Sequence, residues 1–344
     1  MTSRERVQAA YNHLDTDRVP TLFKNDEALL TEALVKATGV SNRDEMLLRL
    51  GIDTRVETPP YTGPPLPKDT KGRALSYWGT AGTTYTQSIP RPLADVETLA
   101  DLTHFEPPSP DWFGYDTFAE NCARWPDHAV IAMSWEPLFC GLCNLVGMEN
   151  ALIMLASDPL LSEAIVTIIF DFSIEKIRRM LAAAENQVRI CYWGDDFATD
   201  KALMMGYPLW KRYFREPMAK IIGTIRDAGV HAHVHCCGAM AELLPDFIEM
   251  GVESIEPCQF HLPAMEPGKL KREFGRHLTF FGGVNSQHVL PTGTPEDVRR
   301  ETRRRIDVAG KGGGYVCGSD HSLLADIPAQ NVLAMYEEIG SYGS

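Results

Sequence analysis

The chain predicts an α/β protein of the (β/α)8 TIM-barrel class, with an N-terminal helical segment and a Pro-rich β-hairpin insertion. Three observations carry this. From residue 128 on, short apolar stretches alternate with amphipathic helical ones, the order of a parallel sheet with helices outside it. Counting from residue 20, seven or eight such units fit, which favours a closed barrel over an open sheet. Polar residues also gather where the strands end: Asp195 and Asp196, His235 and Cys237, Glu256 and Cys258, Asn285, then Cys317 to His321. In a barrel those ends converge on one mouth. Residues 1–344 are read as a single domain.

In chain order, residues 3–13 suit a short helix, and Asp15-Thr-Asp-Arg18-Val-Pro20 turns into a strand around 20–24. Helical patterns follow at 26–38 and 42–50. From 52 to 112 the composition changes to prolines spaced by Thr, Tyr and Trp, and Tyr77 to Gln87 reads as a hairpin around a Gly-containing turn. This stretch is expected to form a collar near the barrel mouth. Val130-Ile-Ala-Met-Ser134 is a short strand. Asp158-Pro159 supplies an N-cap and a first-turn proline, and Leu161, Ile165, Ile168 and Phe172 mark one face of the helix it opens. Strand Val188–Tyr192 ends in Gly194-Asp195-Asp196. A helix is expected over 208–227, the His/Cys strand next, then a helix over 239–250 and strands at 252–258 and 277–284. Thr294-Pro-Glu-Asp297 caps an arginine-rich helix with acids in its first turn. Gly314–Cys317 is the last strand, and a helix begins near Pro328.

The chemistry centres on Val230-His-Ala-His-Val-His-Cys-Cys-Gly238. Alternation along a strand places His231, His233, His235 and Cys237 on one face and Cys236 on the other. Histidine nitrogen and cysteine sulfur two residues apart suit a borderline metal such as zinc, and the glycine lets the backbone turn. A buried strand whose polar groups find backbone partners is the competing reading; three histidines and a cysteine on one face favour a site.

Bulk properties exclude several classes. With 44% hydrophobic and 23% charged residues the chain is ordinary globular material. A formal charge of -13 argues against nucleic acid or anionic membrane as a partner. No apolar run reaches the roughly 18–20 residues of a membrane span. The first residues lack the apolar core of a signal peptide. Eight cysteines in a chain this long are no secreted disulfide framework, so a cytoplasmic location is expected.

Taken together, Arg18-Val-Pro20, Gly194-Asp-Asp196, His235-Cys-Cys-Gly238, Phe281-Gly-Gly-Val-Asn285, Leu290 to Val298, Gly313-Gly-Tyr315, Asp320-His321 and Ile327 to Asn331 resemble the uroporphyrinogen decarboxylase superfamily. The pattern is most similar to its corrinoid-dependent methyltransferase branch. The resemblance implies a barrel with its site at the C-terminal mouth, and zinc held by His-x-Cys after one strand plus a third ligand after the last. His235 and Cys237 match the pair. The third position, a cysteine in thiol-methylating relatives, falls on His321, with Cys317 as the alternative. A His/Cys/His set is less anionic than His/Cys/Cys, which weighs against thiol activation. The arginine-rich N-terminal motif of true uroporphyrinogen decarboxylases is missing from Arg18 to Asn25. A polycarboxylate substrate needs several cations, so its absence argues against porphyrin decarboxylation.

The expected activity is methyl transfer between a small O-, N- or S-methyl substrate and a corrinoid. Cobalamin would be carried by a partner protein, since the chain has no Asp-x-His-x-x-Gly signature. Asp195, Asp196 and Glu256 are the candidate catalytic residues, as orienting partners of a ligand histidine, general acids or substrate anchors. A decarboxylase, or a tetrapyrrole-binding protein without turnover, is the alternative; a carrier would not need the His/Cys set. Family resemblance also implies a possible homodimer. Cys140-Gly-Leu-Cys143 sits in apolar surroundings and reads as core. Gly310 to Gly314 precedes a strand rather than following one, so it reads as a helix stop and not a phosphate cradle.

Overall fold

Seven parallel strands are hydrogen-bonded in chain order, each to its sequence neighbours. They are β1 (Thr54–Glu57), β2 (Ala129–Ser134), β3 (Val188–Gly194), β4 (His231–His235), β5 (Ser254–Glu256), β6 (Thr279–Val284) and β7 (Tyr315–Ser319). The computed structural model describes residues 1–24, 27–81 and 90–342. Before the sheet come α1 (Ser3–Tyr11), α2 (Ala28–Thr38) and α3 (Arg43–Arg49). The crossovers are α4 (Tyr115–Ala123); α5 (Phe139–Val146), α6 (Met148–Ser157) and α7 (Pro159–Ala183); α8 (Gly206–Tyr213) and α9 (Arg215–Asp227); α10 (Leu244–Met250); α11 (Pro267–Phe274); and α12 (Val289–Thr292) with α13 (Pro295–Arg305). Helix α14 (Ala329–Ser341) follows β7.

Helix starts follow the sequence signals. Asp158 accepts from Leu161 N at the head of α7, and Thr294 with Asp297 forms a capping box on α13. The helix expected over 208–227 is two helices. Pro217 has no N–H to offer the Tyr213 carbonyl, and its ring crowds that carbonyl, so the chain breaks at Phe214. Over 239–250, a single 3-10 turn precedes α10, whose first turn holds Pro245.

The alternation of the strands divides the core in two. Ile190 and Tyr192 of β3, Phe281 of β6 and Val316 of β7 point inward and meet Val7, Ala10 and Tyr11 of α1. Helix α1 closes the end of the barrel where the strands begin, as the bonds Arg4 N to Asp127 O and Gly314 N to Ala10 O show. Cys191, Trp193, Ala232, Val234 and Cys317 face the helices instead, in a continuous outer core. Each fully buried aliphatic or aromatic side chain there contributes roughly 1.5–3 kcal/mol. Cys140 and Cys143 are buried residues of α5, Cys143 within this layer.

Two expectations are corrected. The strand expected around 20–24 is a single bridge, Thr21 to Cys317, supported by Cys317 N to Pro20 O and Leu22 N to Cys317 O. The sheet therefore has seven strands among the described residues. Pro20 has no donor, and the Thr21 amide gives its proton to Asp53 Oδ2 (2.9 Å) instead of a strand carbonyl. Asp53 N still reaches Thr21 O (3.2 Å), so residues 20–22 sit between β7 and β1. The proline-rich stretch begins later than expected, because residues 54–57 within it are β1. Of the expected hairpin, residues 82–87 lie outside the described residues; 76–80 form a turn closed by Ser76 N to Thr80 O. Among the described residues no single helix is long and apolar enough to cross a membrane.

Candidate metal centre

Strand β4 ends at the barrel mouth on His235, and its register beside Gly194 of β3 and Glu256 of β5 sets what surrounds that ring. Gly194 is required there. A Cβ on it would lie 2.5 Å from His235 Cβ and 2.9 Å from Trp135 Cζ3. The bare backbone lets Trp135 stand edge-on to His235, with ring centroids 5.1 Å apart. Three residues beyond His235, Gly238 has φ +85°, and a Cβ would meet Thr199 O at 2.5 Å. The turn that brings Cys237 back over His235 therefore needs glycine.

His235 Nε2 lies 3.2 Å from Cys237 Sγ. The ligating atoms of His235, Cys237 and His321 all lie within 4.8 Å of one another. Two donors on a tetrahedral ion with bonds of about 2.0–2.3 Å sit roughly 3.5 Å apart, so the donor types and the closest spacing suit zinc. His235 is buried, and Cys237 and His321 are half-buried, so one side faces the mouth. A structural zinc site is closed by protein on all four sides, whereas a catalytic one keeps a position open.

Asp196 and Glu256 brace the histidine from opposite sides. Asp196 Oδ1 accepts the Cys237 amide (2.9 Å) and lies 3.4 Å from His235 Nε2. Burial works against its charge, but the hydrogen bond and charge of His235, with the Cys237 amide, hold the carboxyl well below the usual carboxylate range. Glu256 approaches the other ring nitrogen, Oε1 to Nδ1 3.7 Å, and its Oε2 accepts from His233 (3.2 Å). Burial again opposes ionisation, and the Lys24 ammonium plus the two histidines outweigh it, so this carboxyl also stays ionised. Burial, with Asp196 next, pushes the Cys237 thiol well up. Burial lowers His321, and so does the Lys24 charge.

Other expected residues lie elsewhere. Asp195 is fully buried and turned from the cluster, accepting the amides of Phe139 (2.6 Å) and Cys140 (2.9 Å) at the start of α5. It caps that helix. Burial drives its pKa to about 7, against the pull of the two amides. Cys317 points at the helical layer, on the opposite face of β7 from Val316, with Tyr315 Oη 3.4 Å from its sulfur. The parity of β7 removes it from the mouth. Cys258 is likewise buried in the outer core. His231 and His233 share the inward face with His235 but lie below it: His233 in the interior, His231 stacked on Tyr11 at 4.1 Å.

Sequence reasoning missed Lys24, whose Nζ is 3.2 Å from His235 Nδ1 and which pairs with Glu256. It follows the closing bridge and belongs to no periodic element, so no pattern singles it out. Glu136 was also missed, although it lies two residues beyond β2, where strand-end polar residues gather. It is 2% exposed and pairs with buried Lys176 of α7 (2.5 Å). Tyr77 Oη donates to it (2.5 Å), as does Trp78 Nε1 (3.3 Å), fastening the proline-rich stretch to the strand end.

A family model for uroporphyrinogen decarboxylase (URO-D) matches residues 86–342. A search of curated proteins finds no match. Among solved structures, a methyltransferase from Methanosarcina mazei superposes over 100% of both chains, with a TM-score of 0.67 at 17% identity. D-psicose 3-epimerase from Clostridium cellulolyticum H10 aligns over 67% of this chain and 78% of its own, with a TM-score of 0.40 and 12% identity. The 3-keto-D-glucoside 4-epimerase of E. coli aligns over 66% and 92%, with a TM-score of 0.36 and 10% identity. The full-length superposition shows a TIM-barrel-like fold, and the family match, which spans most of the chain, shows that the protein belongs to the uroporphyrinogen decarboxylase (URO-D) family.

Proposed function

We propose that the protein is a zinc-dependent methyltransferase, moving a methyl group between a small O-, N- or S-methyl substrate and a corrinoid carried by a partner protein. The observation that carries this reading is the convergence of one thiol and two imidazoles, from β4 and the segment after β7, within 4.8 Å at the mouth of the barrel. His235, Cys237 and His321 would hold the ion, which when bound supplies a Lewis acid for the heteroatom losing or gaining methyl. Family membership and the fold of the Methanosarcina mazei methyltransferase support the same reading.

The chain's own residues do the rest. Asp196 holds the Cys237 backbone, so the sulfur stays beside His235 Nε2. Glu256 Oε1 stands 3.7 Å from His235 Nδ1, on the other side of the ring. Trp135, 39% exposed, and Tyr192 form an aromatic wall over His235 against which an apolar methyl donor packs. Residues 77–78, fastened to Glu136, add the edge of the proposed collar.

Two measurements test this. Metal analysis of the purified chain is expected to give about one zinc per chain, lost on His235→Ala, Cys237→Ala or His321→Ala. Absorbance of cob(I)alamin is expected to report conversion to methylcobalamin when a methylated donor is added. Wild type without zinc sinks the mechanism. Bound zinc with no methylation across methanol, methylamine, methylthiol and methoxyaromatic donors sinks the reaction.

A further inference from the structure

Strand β2 is followed by Trp135 and Glu136, which leave its end in opposite directions. Trp135 is 39% exposed and stands edge-on to His235, ring centroids 5.1 Å apart. Glu136 is 2% exposed and turns toward the helical layer, where three side chains converge on its carboxylate. Lys176 Nζ of α7 and Tyr77 Oη both donate to Oε1 (2.5 Å each), and Trp78 Nε1 donates to Oε2 (3.3 Å). The main-chain oxygen of Glu136 accepts from Trp193 Nε1 of β3 (3.1 Å). Four bonds from three separate segments thus meet on one residue.

A buried carboxylate beside a buried ammonium is costly to desolvate, and further hydrogen bonds of good geometry offset that cost. The proline-rich stretch supplies them. Lys176 is 4% exposed, and its ammonium lies over the rings of Phe113 (4.1 Å) and Tyr77 (5.5 Å), whose faces attract a cation. Tyr77 also stacks on Tyr61, and Trp78 meets Phe172 of α7 edge-on at 5.1 Å. The stretch therefore docks on the Glu136–Lys176 pair through charge and rings together. Without it the carboxylate would keep Lys176 and lose two of its three side-chain donors.

We propose that Glu136 is a positioning residue for Trp135: docking of the proline-rich stretch on its carboxylate fixes the chain just past β2, and with it the indole beside His235. The inference rests on the reading of Trp135 as a wall of the methyl-transfer site. Trp135 is one peptide bond from the anchor. Its Cζ3 lies 2.9 Å from where a Cβ on Gly194 would stand, so the ring is set close against β3 and follows any turn of its own backbone. A site side chain keeps its geometry when the residues behind it are locked by packing and hydrogen bonds. Tyr77 and Trp78 thereby act on the mouth through Glu136.

The test uses the full chain carrying 5-fluorotryptophan, the fluorine resonances of its six tryptophans assigned by changing each to Phe. Hydrogen exchange read by mass spectrometry follows residues 61–80. Tyr77→Phe removes one bond to Glu136, keeps the ring packing and leaves residues 135 and 136 intact. It is expected to raise exchange in 61–80 about tenfold, as for one lost bond to a charged group, and to shift or broaden the Trp135 resonance. The resonances of Trp125 and Trp210 are expected to stay in place. Glu136→Gln alone leaves Lys176 an unpaired buried cation and endangers folding. Glu136→Gln combined with Lys176→Met removes the pair without that charge, and is expected to give the same two changes, larger. Faster exchange with the Trp135 resonance unmoved overturns the proposal and leaves Glu136 a fastening for the stretch and nothing more. Unchanged exchange in both variants overturns it as well. Zinc alone, added to wild type, is expected to shift the Trp135 resonance. Zinc that binds without doing so, or does not bind, fails the reading of Trp135 as a wall of the site, and the proposal with it.

Discussion

The Cys237 sulfur and the His235 Nε2 nitrogen lie 3.2 Å apart, while the Cys317 sulfur, the other thiol considered as a ligand, faces the helical layer behind β7. The two thiols differ in strand parity, and they should part company in experiment. Cys237→Ala is expected to weaken zinc by on the order of a hundredfold or more, since a direct ligand outweighs outer partners worth about 10–100-fold. Cys317→Ala is expected to keep zinc and lose at most about 1–2 kcal/mol of stability through packing. Metal analysis with urea denaturation of both variants checks this, and zinc lost from Cys317→Ala would contradict it.

Gly194 is a position where a single added methyl group should disturb the site directly. A methyl group there meets His235 Cβ at 2.5 Å and Trp135 at 2.9 Å. Gly194→Ala is expected to cost about 1–3 kcal/mol by overpacking and to push His235 from its place. The measurable signature is a fall in zinc affinity out of proportion to the fall in thermal midpoint. Unchanged zinc binding would show that the ring adapts.

Asp195 makes a pH-dependent contribution to stability. Its pKa is raised to about 7 in the folded chain from an ordinary value near 3.8, chiefly by burial. Between those values the native state binds more protons than the unfolded one, so stability falls as pH rises, and is lowest once the group ionises above about 7. Asp195→Asn cannot ionise and should remove this slope. Denaturation midpoints of both proteins at pH values across that window give the difference; parallel curves would refute it.

Asp53 holds the chain entry to the barrel. Its buried carboxylate accepts from Arg6 Nη1 (2.6 Å), Arg18 Nη1 (2.7 Å) and both the amide and hydroxyl of Thr21. Asp53→Asn removes the charge that balances the Arg6 and Arg18 guanidiniums, one nearly buried and one largely so. A loss of about 3–5 kcal/mol is expected, as for other broken buried pairs. Urea denaturation measures it, and a change below about 1 kcal/mol would mean that water replaces the carboxylate.

Much of the architecture was legible in the residues. Ile190 to Trp193 alternates between the barrel interior and the helical layer, and the caps at Asp158 and Thr294 sit where the helices begin. Such signals are local: a capping side chain bonds amides within three residues, and a strand shows its two faces in any six. What was not legible depended on partners far away in the chain. Thr21 reads as a strand residue until Asp53, 32 positions on, takes its amide proton. Asp195 and Asp196 are adjacent, both acidic and both at a strand end, yet one caps α5 and the other braces Cys237.

The sequence by itself determined that strands and helices alternate, that polar groups cluster at strand ends, and that His235 and Cys237 share a face. These follow from the period of two along a strand and from the hydrophobic pattern, which the chain carries locally. Only the tertiary structure decided that His321 joins them, that Cys317 does not, and that Lys24 stands against the His235 ring. Closing the sheet brings residues more than 200 positions apart within hydrogen-bond distance, and no local pattern encodes which of them will meet.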